Sequence, residues 1–447
     1  MKEYFSRPGV FYLALLSFGI SLGFNFQLTY LSSVFKFFGA ESSQLSFLWL
    51  APAITGMIVQ PVIGYMSDAT TRFRNKRRPY MVGSGILAAL AYWSLPYAHS
   101  LFSATLLVWV LNASVNGCLA MWRALTNDLS TDENRSTNFA FQAFCAGVGT
   151  VTGISLPYLI NMINKFILSV GQVPYLTLKE VKIPFNLHVS FIISGVALTL
   201  VILVSMLKLK EPSHENIADG GQKNSSLKLV FTDLVSNLKQ SSSTFKKLSL
   251  VNSLTALGIF IFWIYFILAL AQNFYSLPVG LAAENGTLQS MAILQKATSD
   301  SSGYLGFSQF INVIYSLFLF FLFQRTDKAK FIHGISLLIG GTGLFVIGLG
   351  HTHSALIIAM INIGILMGSF NVLPYLIVSK IFPVGKTGVY FGLFNVSITF
   401  SQIIGGITLS PIYDYIFRGH GSYMMHLAGM LVIISGVLWL REARTRG

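Results

Sequence analysis

The sequence predicts an all-α membrane protein of twelve transmembrane helices arranged as two six-helix bundles, and three observations carry that prediction. The 447-residue chain is 53% hydrophobic and only 10% charged, and its mean hydropathy is +0.65, well outside the range of soluble domains. Apolar stretches of about 20 residues recur along its whole length, each sufficient for a hydrocarbon core of about 30 Å. One long polar tract, residues 208–247, interrupts the pattern and leaves six stretches on either side.

The first half holds the stretches 11–35, 45–66, 80–98, 101–125, 138–163 and 186–207. The first carries Asn25 and Gln27 and no small-residue cleavage site, so it reads as a retained helix and not a removable signal. Between the second and third lie Arg72, Arg74, Lys76, Arg77 and Arg78, directly before Pro79. Five cations in seven residues cannot cross a bilayer. Asp68 ends the helix before them and faces them. The fourth stretch contains Arg123 and is followed by Asp128, and Arg135-Ser136-Thr137 precedes the fifth.

The polar tract divides the chain into residues 1–207, a linker 208–247, and residues 248–447. Within the linker, Leu227, Val230, Phe231, Leu234, Val235 and Leu238 have the spacing of an amphipathic helix lying on a membrane surface. The second half holds 248–275, 303–323, 331–350, 354–380, 387–412 and 421–440. It echoes the first: Lys386-Thr387-Gly388 stands 251 residues after Arg135-Ser136-Thr137, and the same offset carries Gly153 to Ile404 beside Gly405. Parallel repeats about a central loop are a transporter plan, although any two loops on one side can share a cation and small residues.

A formal charge of +14 in a soluble protein would suggest nucleic acid. Here the cations divide 24 to 6 between the two sides of the predicted topology, so the positive-inside rule places both termini in the cytoplasm. Nucleic acid is not an expected partner; the lipid bilayer is, in a plasma membrane or a bacterial inner membrane. Cys118 and Cys145 lie inside apolar stretches and suggest neither a disulfide framework nor a metal site. No nucleophile and base pair, metal-ligand spacing or phosphate loop appears, so neither an enzyme nor a cofactor is expected.

By this assignment every carboxylate, Asp300 and Asp414 included, falls in a loop or terminus except Asp68 and Asp128, which sit near the inner face. What remains in the helices is a set of amides: Asn25, Gln27, Asn112, Asn116, Gln142, Asn252, Gln272, Asn312, Asn371, Asn395 and Gln402. Amides donate and accept, which suits sugar hydroxyls; singly they also tie membrane helices together for about 0.6 kcal/mol each. Asn112 and Asn116 share one helix face at i, i+4 and form the most specific local group. Arg123 is a cation within an apolar stretch and must face a partner or a water-filled cavity. Asp128, five residues on, lies about 140° around the helix from it.

Several motifs resemble the major facilitator superfamily, and within it the sucrose and glycoside carriers related to plant sucrose/proton symporters and bacterial maltoside carriers. They are Gly56-Met57-Ile58-Val59-Gln60-Pro61 through Gly64 and Asp68, Arg123-Ala124-Leu125 with Asp128-Leu129, and Phe262-Trp263-Ile264-Tyr265 with Ala271-Gln272. Asn312, Pro374-Tyr375, and Gly388-Val389-Tyr390 through Gly392, Asn395 and Gln402 complete the series. The resemblance spans nearly the whole chain. It implies a carrier working by alternating access, with a central site for a neutral polyhydroxylated solute, a di- or oligosaccharide or glycoside.

On that resemblance the substrate-binding residues are Asn25, Gln27, Asn112, Asn116, Arg123, Trp263, Gln272, Asn312, Tyr375 and Asn395. The gating residues are Asp68 with Arg72, Arg77 and Arg78 of the basic loop, and Asp128 with Arg135. Two departures stand out. Asn75 occupies the place of a customary loop glycine, a tolerable change because Asn adopts positive φ readily. Coupled members of the group carry an Asp eleven residues before the arginine that matches Arg123, whereas this chain has Asn112, which cannot titrate. A proton as co-substrate is therefore left open, as are facilitated diffusion and a different, anionic metabolite paired with Arg123.

Overall fold

The computed structural model describes residues 8–69, 77–129, 135–170, 183–209, 239, 241–279, 288–322, 328–350, 352–379 and 387–444. Arg72, the amphipathic stretch 227–238 and the side chains of Asp68 and Arg135 lie outside what is described. Twelve long helices follow one another: α1 Pro8–Phe37, α2 Leu50–Ala69, α3 Arg78–Ser94, α4 Leu101–Asp128, α5 Arg135–Val170, α6 Phe185–Lys208, α7 Ser243–Tyr275, α8 Leu288–Leu322, α9 Ala329–Leu349, α10 His353–Ser379, α11 Thr387–Pro411 and α12 Gly421–Arg444. Ten of them are long and apolar enough to cross a membrane. With no water in the bilayer core to satisfy backbone amides, helices answer the whole hydrogen-bonding need of such stretches, and the described chain contains no strand.

The twelve predicted stretches coincide with these helices, with one instructive shift. α8 begins at Leu288, fifteen residues before the predicted start, so Asp300 stands within a helix and not in a loop. In the polar run at its head the hydroxyls are satisfied by the helix itself: Ser301 Oγ donates to the Thr298 carbonyl at 2.7 Å and Ser302 Oγ to that of Ser299 at 2.5 Å. Asp414 also lies in a helical turn, the π-helical Ile412–Ile416 that continues α11.

The chain forms two compact units, one of residues 1–30 and 51–227, the other of residues 31–50 and 228–447. In the first, α1 and α5 run side by side. Ser17 Oγ donates to the Gln142 carbonyl at 3.0 Å, Asn25 Nδ2 to Thr150 Oγ1 at 2.9 Å and Tyr30 OH to the Ile154 carbonyl at 2.6 Å. The near-constant residue offset marks parallel helices. They approach closely because Gly149 and Gly153 face the α1 backbone at Phe18 and Leu22, where a methyl group would collide with a carbonyl; small residues give such seams in membranes. Cys118 of α4 is fully buried, and Cys145 of α5 is partly exposed.

In the second unit, α7 and α11 repeat that arrangement. Ser253 Oγ donates to the Ser397 carbonyl at 3.0 Å, and Gly405 packs on Leu257 and Phe260 of α7. Gly405 differs from Gly153 in what it meets, side chains of α7 in place of an α1 carbonyl. α9 and α12 meet through Gly341 against Gly429 and Gly334 against Gly436. The segment 31–50 belongs to this unit: Ser32 Oγ donates to the Ile264 carbonyl at 2.8 Å and receives the Trp49 indole N–H at 2.8 Å, while Ser33 bonds Thr298 at 2.9 Å.

Candidate functional site

The first unit gathers six polar side chains into a ladder across α1, α2 and α4, its two groups joined through the Asn112 backbone carbonyl. Gln27 Nε2 donates to Asn112 Oδ1 at 2.9 Å, and Asn112 Nδ2 returns a bond to Gln27 Oε1 at 3.3 Å. One turn further along α4, Asn116 Nδ2 donates to Thr55 Oγ1 at 3.3 Å and its Oδ1 receives Gln60 Nε2 at 2.7 Å. The ladder ends where an Arg123 guanidinium N–H donates to Gln60 Oε1 at 3.0 Å.

Helical periodicity builds this row. Asn112, Asn116 and Arg123 stand at i, i+4 and i+11, three positions that return to one face of α4. Asn112 and Asn116 anchor their amides further by donating to the carbonyls of Val108 and Asn112, both at 2.9 Å. Gly56 of α2 opens space beside Asn116, whose Oδ1 would lie 3.5 Å from an added Cβ. Gln27 and Asn112 are buried, Gln60 is half-buried and Arg123 is exposed, so the row grades from dry to wet. Arg123 supplies its one formal charge.

Sequence reasoning named Gln27, Asn112, Asn116 and Arg123 but not Gln60, which joins the amides to the guanidinium. Its signal was present: Gln60 stands four residues after Gly56 in the second apolar stretch and is that stretch's one side-chain amide. Asn25 lies elsewhere, donating to the Ser21 carbonyl at 2.9 Å as well as to Thr150.

In the second unit the predicted residues do not form a single row. Gln272 spans the turn between α11 and α12: its Nε2 donates to the Gly419 carbonyl at 3.0 Å, and its Oε1 receives the Gly421 N–H at 2.7 Å. That turn needs the bracing, since Arg418 and Gly419 both have positive φ. Asn312 donates to Gln309 Oε1 at 2.8 Å and accepts from Ser316 Oγ at 3.3 Å, both within α8. Tyr375 OH donates to Asn395 Oδ1 at 2.8 Å, linking α10 to α11 beside Phe394 and Phe245. Trp263 is half-buried against the Phe262 ring at 5.3 Å. Asn252 is fully buried, and neither of its amide atoms has a partner among the described residues.

At the shared end of α2, α3 and α4, Arg77 Nε donates to Asp128 Oδ2 at 2.9 Å and a second guanidinium N–H donates to Ser67 Oγ at 2.5 Å. Thus a cation of the basic loop, immediately before α3, holds the carboxylate that closes α4. The neighbouring Arg78 opens α3 itself.

Comparison with known proteins decides the family. The model of the Major Facilitator Superfamily matches residues 13–406. The chain belongs to that superfamily. It is therefore a multi-pass membrane transporter and not an enzyme. This member of the superfamily is 23% identical over 474 aligned positions to the Arabidopsis thaliana sucrose transport protein SUC4, covering 95% of this chain and 88% of the relative. It is also 27% identical to the general alpha-glucoside permease of Schizosaccharomyces pombe, over 34% of this chain and 31% of that one. Among solved structures, the nucleoside transporter NupG superposes with a TM-score of 0.68 at 14% identity, covering 97% of this chain and 99% of that one. A bacterial homologue of the lysosomal transporter Spinster superposes with a TM-score of 0.69 at 13% identity, covering 98% of each chain. These structural matches establish the fold.

Proposed function

We propose that this transporter carries a neutral polyhydroxylated solute, a di- or oligosaccharide or glycoside, by alternating access, and that the Gln27–Asn112–Asn116–Gln60–Arg123 ladder binds it. The observation that carries this reading is the ladder itself: side-chain amides in mutual register, donating and accepting, with one cation at the exposed end. A hydroxyl both gives and takes a hydrogen bond, so a sugar can enter such a row by exchanging partners with it, leaving few buried groups unpaired. The resemblance to sucrose and alpha-glucoside carriers supports the same substrate class.

Asn112 stands where coupled relatives place an Asp, and it has no proton to release near neutral pH. Its Nδ2 donates twice, to Gln27 and to Val108, as a permanently neutral group can. On this reading Asn112 holds the sugar but takes no part in proton coupling. The Arg77–Asp128 pair at the helix ends acts as a gate contact whose partners change during transport, as bistable interfaces do.

The test is counterflow of labelled sucrose and maltose in proteoliposomes, which needs no driving gradient, with wild type against Asn116→Leu. Exchange of either sugar by wild type and its loss in a folded Asn116→Leu protein support the assignment. Wild-type protein that exchanges neither sugar, while exchanging an anionic solute, would replace it with the Arg123-paired reading.

A further inference from the structure

Among the described residues, Asp300 is the carboxylate that stands in the body of a long helix, twelve residues from Leu288 and twenty-two from Leu322. That is roughly 18 Å along the axis from the helix start. It is half-buried, and a carboxylate so placed needs either a partner or a proton. Its partner is a phenol: Tyr275 OH, at the end of α7, donates to Asp300 Oδ2 at 2.5 Å. No cation lies within ion-pair distance of it among the described residues.

Polar and charged side chains stand one turn to either side of it on α8. Lys296, one turn earlier on α8, places its Nζ over the Tyr275 ring at 5.0 Å from the centroid. Tyr304, one turn later on the same face, has its hydroxyl 2.5 Å from Nδ1 of His353, the first residue of α10, and the two rings stack at 6.3 Å. His353 is exposed, and Tyr304 stands one helical turn from Asp300 with its hydroxyl on His353. The segment that reaches α8 through Ser33 and Thr298 brings Lys36, whose Nζ donates to Ser42 Oγ at 3.0 Å. The turn clamped by Gln272 carries Asp414, Arg418 and His420.

We propose that Asp300 is a proton-binding site of this transporter, with Tyr275 holding its Oδ2 and the Tyr304–His353 pair one helical turn away. The proton adds to Oδ1 as the bound form develops, and the Tyr275 O–H bond to Oδ2 persists in both forms, so no bond is lost on either side of the step. A phenol suits this role better than a cation would: a salt bridge opposes protonation, whereas a neutral donor tolerates it. The site supplies the titratable carboxylate that Asn112 is not, and it rests on the reading of the chain as a sugar carrier.

The experiment uses the full chain in proteoliposomes and reads two quantities, sucrose and maltose counterflow, and sugar-induced proton movement by an entrapped pH dye. Wild type is expected to move protons with sugar. Asp300→Asn should keep counterflow and lose the proton signal, and Asp300→Glu should retain both. Tyr275→Phe should keep counterflow while displacing the pH profile of uptake. An Asp300→Asn protein that moves protons as wild type does overturns the proposal, as does a wild type that moves sugar with no proton. If Asp300→Asn does not fold, Tyr275→Phe decides: removal of its bond to Asp300 Oδ2 with proton movement and pH profile both as in wild type overturns the proposal equally. Counterflow of neither sugar in wild type overturns the sugar reading itself, and this inference with it.

Discussion

Gln27 and Asn112 exchange two amide hydrogen bonds between α1 and α4, 2.9 Å in one direction and 3.3 Å in the other. Asn112 Nδ2 also donates to the Val108 carbonyl, so this buried amide is used at both ends. Asn112→Asp keeps an acceptor for Gln27 Nε2 but gives up both donor bonds. A buried polar group left unpaired costs about 1–3 kcal/mol, and an ionised one costs more. The variant's melting temperature should fall in mildly alkaline buffer and recover in acid, where the carboxyl regains one O–H. A melting curve insensitive to pH would show that the pair contributes little.

Gln60 connects the amides to Arg123, which makes it a stronger test of the ladder than any residue chosen from the sequence. Gln60→Leu should raise the KM for sugar by about tenfold, equal to about 1.4 kcal/mol, the size of one charged hydrogen bond. Gln60→Glu keeps an acceptor for Arg123 but loses the donor to Asn116, and its KM should fall between the two. Uptake kinetics in whole cells or vesicles suffice. Equal KM values for all three proteins would remove Gln60 from the site.

Arg77 and Asp128 are 12% and 27% exposed, between a surface pair and a buried one. Removing one partner by Arg77→Gln or Asp128→Asn should lower stability by about 1–3 kcal/mol. On the proposed gating role, changes to the pair should also alter turnover more than sugar affinity. The double exchange of Arg77→Asp with Asp128→Arg should restore part of both. If either single variant matches wild type in melting temperature and kcat, the contact is incidental.

Gln272 braces the turn at Gly419 and Gly421 with both ends of its amide. Gln272→Ala should lower the melting temperature, as the Gly421 N–H loses its partner at about 1 kcal/mol and the Gly419 carbonyl keeps only the Tyr413 hydroxyl at 2.6 Å, while the KM for sugar stays unchanged. A raised KM with unchanged stability would return this residue to the substrate site.

Asn252 gives the opposite case, since its buried amide has no partner among the described residues. Asn252→Leu should raise the melting temperature by removing about 1–3 kcal/mol of unmet desolvation. If transport falls in the same protein, the amide is kept for binding; if transport is unchanged, it is not.

The helices were legible because hydropathy and length alone decide where a chain crosses a bilayer, and Asn112 with Asn116 was legible because i, i+4 spacing fixes a shared face. The head of α8 was not. Lys296 and Asp300 look like loop residues until Tyr275, twenty-five positions earlier, supplies the hydroxyl that one of them meets. Nor does sequence separate Gln60 from Gln272. Both are amides within apolar stretches, and the difference lies in what each reaches: a second side chain for Gln60, a strained turn for Gln272. Periodicity shows which residues share a helix face, but partners on other helices come only from packing.

The two cysteines offer a practical handle. Cys118 is sealed within the first unit, while Cys145 on α5 is partly open. A thiol-reactive fluorophore should therefore label the native chain at one place, without a cysteine-free background. Because α5 meets α1 through Gly149 and Gly153, the emission of that dye would follow the packing of α5 against the helix that carries Gln27.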